Sequence, residues 1–314
     1  MSELKVDFFF VGFPKSGSTT FYHLLKSHPE IFSPDVKELN YFNSDHTREF
    51  QRRLGGDYFQ LARTQADYAA FFQGPPGRLV GDFNPIYIFS EEAPRNISSY
   101  NPDARILISV REPVSFLRSF HFQSLYNMIE DEPDFLKALG LEASRRAGLN
   151  IPPYCHNPFY LYYSWLVEYR QHIERYVDVF GAKKVKVILF DDIMADETKS
   201  YREVLSFLNV QDQDFVPPRP DRNPSHALRF GRLRQLVFTP PIKKWLYTKT
   251  PRSLLPLGAR ISQRIFKKPQ EKPFVSKANI DRLKLEFRSR VAELQAFLSD
   301  KDLLDRNLLS LWDY

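Results

Sequence analysis

Residues 6–20 read Val6-Asp-Phe-Phe-Phe-Val-Gly12-Phe-Pro14-Lys15-Ser16-Gly17-Ser18-Thr19-Thr20. The first half is a nearly continuous apolar run closed by a proline. That is the pattern of a strand buried on both faces of a parallel sheet. The second half is a turn of small residues, followed by Phe21 to His28 with apolar residues at helical spacing. The expected unit is strand, small-residue loop, helix. Such a loop can aim several backbone N–H groups at one anion, and the helix N-terminus adds partial positive charge. Lys15 supplies a mobile full charge, while Ser16, Ser18, Thr19 and Thr20 supply hydroxyl donors. A nucleoside-triphosphatase loop requires Gly-x4-Gly-Lys-Ser/Thr. Gly12 and Gly17 keep that spacing, but Ser18 stands where the lysine belongs. A phosphate-loop kinase or hydrolase is therefore the disfavoured alternative.

Outward from this unit the same alternation repeats. Arg78–Phe83, Ile106–Val110 and Val185–Phe190 read as further strands. Pro94–Tyr100, the stretch from Arg111-Glu112-Pro113 to Tyr126, Phe159–Phe180 and Glu197–Leu208 read as helices. Ser276–Leu298 reads as a long terminal helix with Ser276 as its N-cap. Strands alternating with helices predict an α/β fold, a mostly parallel central sheet flanked by helices. Ligands in such folds bind at the carboxyl ends of the strands. The loops after Phe13, Asp82 and Val110 should then converge on one site.

The composition narrows the class further. The chain has 314 residues, 43% hydrophobic and 26% charged, which excludes disorder, collagen-like repeats and coiled coil as its main theme. One cysteine, Cys155, excludes an internal disulfide framework and a cysteine-built metal site. No stretch approaches the roughly 20 apolar residues of a membrane span. The first residues read as the approach to a strand, not as a signal peptide, so a cytoplasmic protein is expected. One domain is expected over 1–314: an α/β core at 1–216, a basic segment at 217–272 and a helical tail at 273–314.

The net charge is +6, yet 217–272 holds fourteen basic and two acidic residues, a local +12 that leaves −6 for the rest. Apolar residues such as Trp245, Ile261 and Phe266 interleave with that charge. The mixture suits a solvated basic surface, a cap over an anionic substrate, or contact with an anionic membrane surface. A non-catalytic membrane-binding protein is a second alternative. Nucleic acid is not an expected partner, because no nucleic-acid module is recognisable.

Three motifs, in order, resemble those of sulfotransferases that use 3′-phosphoadenosine 5′-phosphosulfate (PAPS), closest to the heparan-sulfate-type branch and its bacterial relatives. Pro14 to Thr20 resembles the phosphosulfate-binding loop. Arg111-Glu-Pro113 with Ser119 eight residues after the arginine resembles the 3′-phosphate motif. Lys37-Glu38-Leu39-Asn40-Tyr41-Phe42 resembles the segment whose glutamate is the general base. The resemblance implies PAPS as donor, 3′,5′-adenosine bisphosphate as product and no metal. It implies donor binding by Lys15, Ser16, Gly17, Ser18, Thr19, Thr20, Arg111, Ser119 and, from a late basic segment, Arg229. Lys15 and Glu38 become the catalytic candidates. The acceptor, a hydroxyl or amine of a carbohydrate, lipid or small molecule, is left open.

One segment departs from the pattern. Where the branch has Glu-Lys-x-x-x-Tyr, this chain has Asp82-Phe-Asn84-Pro-Ile-Tyr87, with a shorter acid and no lysine. Asp82 and Tyr87 remain candidates for the acceptor site. Among the histidines, His28 is read as a helix cap and His121 as structural.

Overall fold

The computed structural model describes residues 5–55, 61–217 and 274–314, with two short backbone strands at His226–Leu228 and Lys267–Pro269 that pair antiparallel. The rest of the basic segment, including Arg229, lies outside the described residues. A parallel sheet holds β1 (Phe8–Gly12), β2 (Ile31–Phe32), β3 (Leu79–Phe83), β4 (Arg105–Val110) and β5 (Val185–Leu189). Their spatial order is β2-β3-β1-β4-β5. Phe9 of β1 is in register with Asp82 on one side and Ile106 on the other. The chain thus leaves β1 towards β2 and β3, then crosses back to β4 and β5. The order reverses at β1, and a crevice opens at the carboxyl ends of β1, β3 and β4.

The main helices are α1 (Ser18–Ser27), α2 (Ser44–Leu54), α3 (Gln65–Phe71), α4 (Ala93–Tyr100), α5 (Pro113–Tyr126), α6 (Tyr169–Phe180), α7 (Glu197–Leu208) and α8 (Lys277–Asp300). Both faces of the sheet are covered, which is why β1 is apolar without alternation. Phe8 and Phe10 pack with Phe21, Leu24 and Leu25 of α1 and Val204 and Leu205 of α7. Phe9 and Val11 pack on the other layer, with Ile97 of α4, Leu117 of α5, Ile173 of α6 and Phe287 and Leu294 of α8. Each phenylalanine taken fully out of water there contributes about 1.5–3 kcal/mol.

The last residues are tied to the segment after β5 and to the head of α5. Trp312 Nε1 donates to Asp191 Oδ2 at 2.9 Å, and the Tyr314 hydroxyl donates to Glu112 Oε1 at 2.6 Å. Ser276 caps α8 as expected, its hydroxyl accepting from the Asn279 N–H at 3.3 Å.

One expected helix is broken. The stretch 159–180 divides into a 3₁₀ turn at Pro158–Leu161, a short helix at Tyr163–Leu166 and α6. Its tyrosines are pulled to different polar partners. Tyr160 meets His46 Nδ1 at 3.0 Å, and Tyr163 donates to Glu130 Oε2 at 2.7 Å. His172 Nε2 lies 2.9 Å from the Trp165 carbonyl, at the second break.

Glu130 also pairs with Arg145, through Nη2 to Oε1 at 2.6 Å and Nη1 to Oε2 at 2.8 Å, and both side chains are fully buried. Removing one partner strands a charge in the interior. Arg145→Met should therefore cost about 3–5 kcal/mol in urea unfolding. The double change Arg145→Met with Glu130→Gln should recover part of that loss. A single variant as stable as wild type would contradict the pairing.

Candidate active site

The donor end is built by the link from β1 to α1. Gly17 is the N-cap of α1 with φ at +93°, in the left-handed region that favours glycine. A Cβ there would stand 2.8 Å from Ile193 Cδ1. Glycine brings no side chain to cap the helix, so the first-turn N–H groups are left for an anion. The Ser16 hydroxyl is buried and has no hydrogen-bond partner. A buried orphan of that kind asks for an oxygen or a water to complete it. Ser18 is buried, and Thr19 and Thr20 are half-buried along the first turn. Gly12 is needed for packing, since a Cβ would lie 2.5 Å from that of Ile88.

Lys15 also has a positive φ, +63°. Its Nζ donates to Gln123 Oε1 on α5 at 3.3 Å, crossing the mouth between the loop and that helix. Arg111, at the end of β4, donates from Nη1 to the Lys15 carbonyl at 3.1 Å. Its guanidinium lies 4.4 Å from the centre of the Phe190 ring. Burial lowers its pKa. The Arg111 carbonyl accepts from the Tyr169 hydroxyl at 2.9 Å. Ser119 is on α5, two turns beyond Arg111 and buried. The structure thus brings Lys15 and Arg111 together at the crevice, with Ser119 on the helix that borders it.

Glu38 sits at the carboxyl end of β3. Its N–H donates to the Phe83 carbonyl at 2.9 Å, and its φ is +62°. The carboxylate side chain is 44% exposed. Strained backbone at both Lys15 and Glu38 is what functional positions often carry. The loop that follows is held from below. Asn40 Nδ2 donates to the Glu38 carbonyl at 3.0 Å. Asn40 Oδ1 accepts from Asn43 Nδ2 at 3.3 Å and Asn84 Nδ2 at 3.2 Å. The Tyr87 hydroxyl accepts from the Tyr41 N–H at 3.1 Å and the Phe42 N–H at 3.4 Å.

Asp82 and Tyr87, read from the sequence as acceptor contacts, are 1% and 0% exposed. The placement makes them supports beneath the Glu38 loop instead. Asp82 Oδ2 accepts from the Tyr68 hydroxyl at 2.8 Å. Burial raises the Asp82 carboxyl to about 7, against hydrogen bonds from Tyr68, the Phe83 backbone and Tyr87 that pull it down. Unfolded, the same group titrates near the ordinary 3.8. Between those values the folded chain keeps a proton that the unfolded chain has released. Stability from this group is therefore complete below about 4 and is lost as pH rises through about 7. Between pH 5 and 8 the wild type should lose roughly 3 kcal/mol on this account. Asp82→Asn should remove that part of the slope in urea unfolding. Equal pH slopes in the two proteins would contradict it.

The rings of His28 and His121 are held by backbone carbonyls. His28 Nε2 lies 2.7 Å from the Asp212 carbonyl and His121 Nε2 lies 2.9 Å from that of Glu132; both rings, like His46, are buried. Among the described residues, no three His, Cys, Asp or Glu side chains stand together as metal ligands, and no helix is long and apolar enough to cross a membrane. Sequence reasoning missed Gln123 and the Asn40–Asn43–Asn84 cluster, because a lone amide carries no spacing signal.

A family model described as the sulfotransferase domain matches residues 5–217. A human protein, heparan sulfate glucosamine 3-O-sulfotransferase 5, is 23% identical over 210 residues. That match covers 67% of this chain and 53% of the human protein, so the chain spans about half the length of that relative. The crystal structure of a sulfotransferase from Alicyclobacillus acidocaldarius superposes with a TM-score of 0.59 at 27% identity. It covers 78% of this chain and 96% of that one. With the loop, the crevice and the sheet order already in place, the family match settles the class: the chain belongs to the sulfotransferase family.

Proposed function

We propose that the protein transfers a sulfuryl group from PAPS to an acceptor hydroxyl or amine. The observation that carries this reading is the meeting of two loops at one crevice, a cationic anion-binding loop after β1 and a half-exposed carboxylate, Glu38, fixed to the end of β3. The orphaned Ser16 hydroxyl and the uncapped start of α1 fit a phosphosulfate group. PAPS supplies an activated sulfuryl group on a phosphate leaving group. Lys15 and the loop N–H groups would neutralise charge gathering on that phosphate, the kind of contribution that is usually largest. Arg111 can offer a bidentate contact to the 3′-phosphate, with Ser119 beside it, and so set the donor's position. Glu38 would take the proton from the acceptor as it attacks. Asp82 and Tyr87 serve by holding the Glu38 loop in place.

A hydroxyl acceptor is favoured by the human relative, whose name specifies 3-O-sulfation of a glucosamine. The neutral, buried Asn84 withholds a positive charge below that end of the site, which argues against a polyanionic chain. The test is release of 3′,5′-adenosine bisphosphate from PAPS across a panel of neutral sugars, lipids and phenols, with ATP and Mg²⁺ in parallel. Acceptor-dependent release is expected, with no ATP hydrolysis. ATP turnover with inert PAPS would overturn the reading.

A further inference from the structure

Three residues on one face of α1 hold the segment that leads into Glu38. Thr19, Tyr22 and Lys26 follow the i, i+3, i+7 spacing of a helix face. The Tyr22 hydroxyl donates to the Pro34 carbonyl at 2.7 Å, and Lys26 pairs with Asp35. Lys37 Nζ donates to Thr19 Oγ1 at 2.8 Å. The first two contacts act away from the loop. The third ends at the second residue of the helix, within the anion-binding turn itself.

Lys37 is well placed for more than tethering. Its side chain is 25% exposed, and its ammonium lies 5.6 Å from the centre of the Tyr22 ring. The same nitrogen is 3.9 Å from Glu38 Oε1. By accepting from the ammonium, Thr19 keeps its own hydroxyl proton for a further acceptor.

We propose that Lys37 is a positioning residue that couples the donor loop to the base: it orients the Thr19 hydroxyl towards the donor and anchors the Glu38 carboxylate from the same nitrogen. The inference rests on the sulfotransferase reading above and adds to it a residue that links the two halves of the site. The donor end should therefore sense what happens at Lys37, and so should turnover.

The experiment is calorimetric titration of 3′,5′-adenosine bisphosphate into wild type, Lys37→Met, Lys37→Arg, Thr19→Val and the Lys37→Met/Thr19→Val double variant. Lys15→Ala is the control, and kcat is measured beside affinity. Lys37→Met should weaken the bisphosphate about tenfold, the scale of one charge-assisted hydrogen bond. It should lower kcat further, because Glu38 loses its anchor. Lys37→Arg should recover part of both losses. Thr19→Val removes the same bond from its other end and must reproduce the affinity loss. In the Thr19→Val background, Lys37→Met should cost little more affinity, the coupling expected of two groups acting as one. Additive losses, or a Lys37→Met protein with wild-type affinity and kcat, overturn the proposal while Lys15→Ala still weakens binding. Wild type that binds no bisphosphate overturns both this proposal and the reading beneath it.

Discussion

Replacing Lys15 with alanine should lower kcat by about three orders of magnitude while the fold stays intact. Removing one preorganised neutral donor from an active site costs about 10²–10³ in rate, and a charged donor bonds more strongly than a neutral one. Lys15 already adopts its unusual φ of +63° with a Cβ, so alanine adds no new backbone strain. The side chain is exposed, and its bond to Gln123 lies at the crevice mouth, outside the core. The melting temperature should therefore move little, which separates lost chemistry from lost structure. Steady-state rates with saturating donor and acceptor are the check. Lys15→Arg should keep the charge but misplace it, giving an intermediate rate.

The second large effect belongs to Glu38. Glu38→Gln should lower kcat by about 10²–10⁴, the usual range for a general base. Glutamine keeps the length and shape of the side chain, and the bond from its backbone N–H to the Phe83 carbonyl is unaffected. Binding of 3′,5′-adenosine bisphosphate should be retained, because the amide still reaches the same space beside Lys37. A split between preserved donor affinity and lost turnover is the signature expected of a base. A Glu38→Gln enzyme at wild-type rate would assign proton removal to another group.

Much of the fold around this crevice was legible in the sequence, and the reasons are local. The run Phe8 to Val11 reads as a buried strand because both faces of the sheet are covered, so no polar alternation interrupts it. Pro113 fixes the start of α5, and Ser276 that of α8. The convergence of the loops after β1, β3 and β4 follows from the sheet order alone. What could not be read was long-range. β2 is two residues long, and α2 buries only His46, Thr47 and Phe50, too little to print a helical stripe. The capping box of α3, Thr64 with Asp67, is by contrast a start signal readable from the sequence. The break within 159–180 depends on where Glu130 and His46 stand in space. Asp82 looked like an acceptor contact by its motif, yet its burial depends on Tyr68, Tyr87 and the loop above it.

A loop after β1 that holds a sulfuryl donor built on adenosine 3′,5′-bisphosphate should also hold the bisphosphate itself. The most direct measurement is thermal unfolding of wild type and Lys15→Ala with 3′,5′-adenosine bisphosphate, beside ADP with Mg²⁺. Ligand at about 100 times its dissociation constant adds about 2.7 kcal/mol to the folded state. The melting temperature of wild type should rise by several degrees with the bisphosphate and little with ADP and Mg²⁺, and the rise should be lost in Lys15→Ala. A wild-type protein that ignores the bisphosphate, or that ADP with Mg²⁺ stabilises equally well, would contradict it.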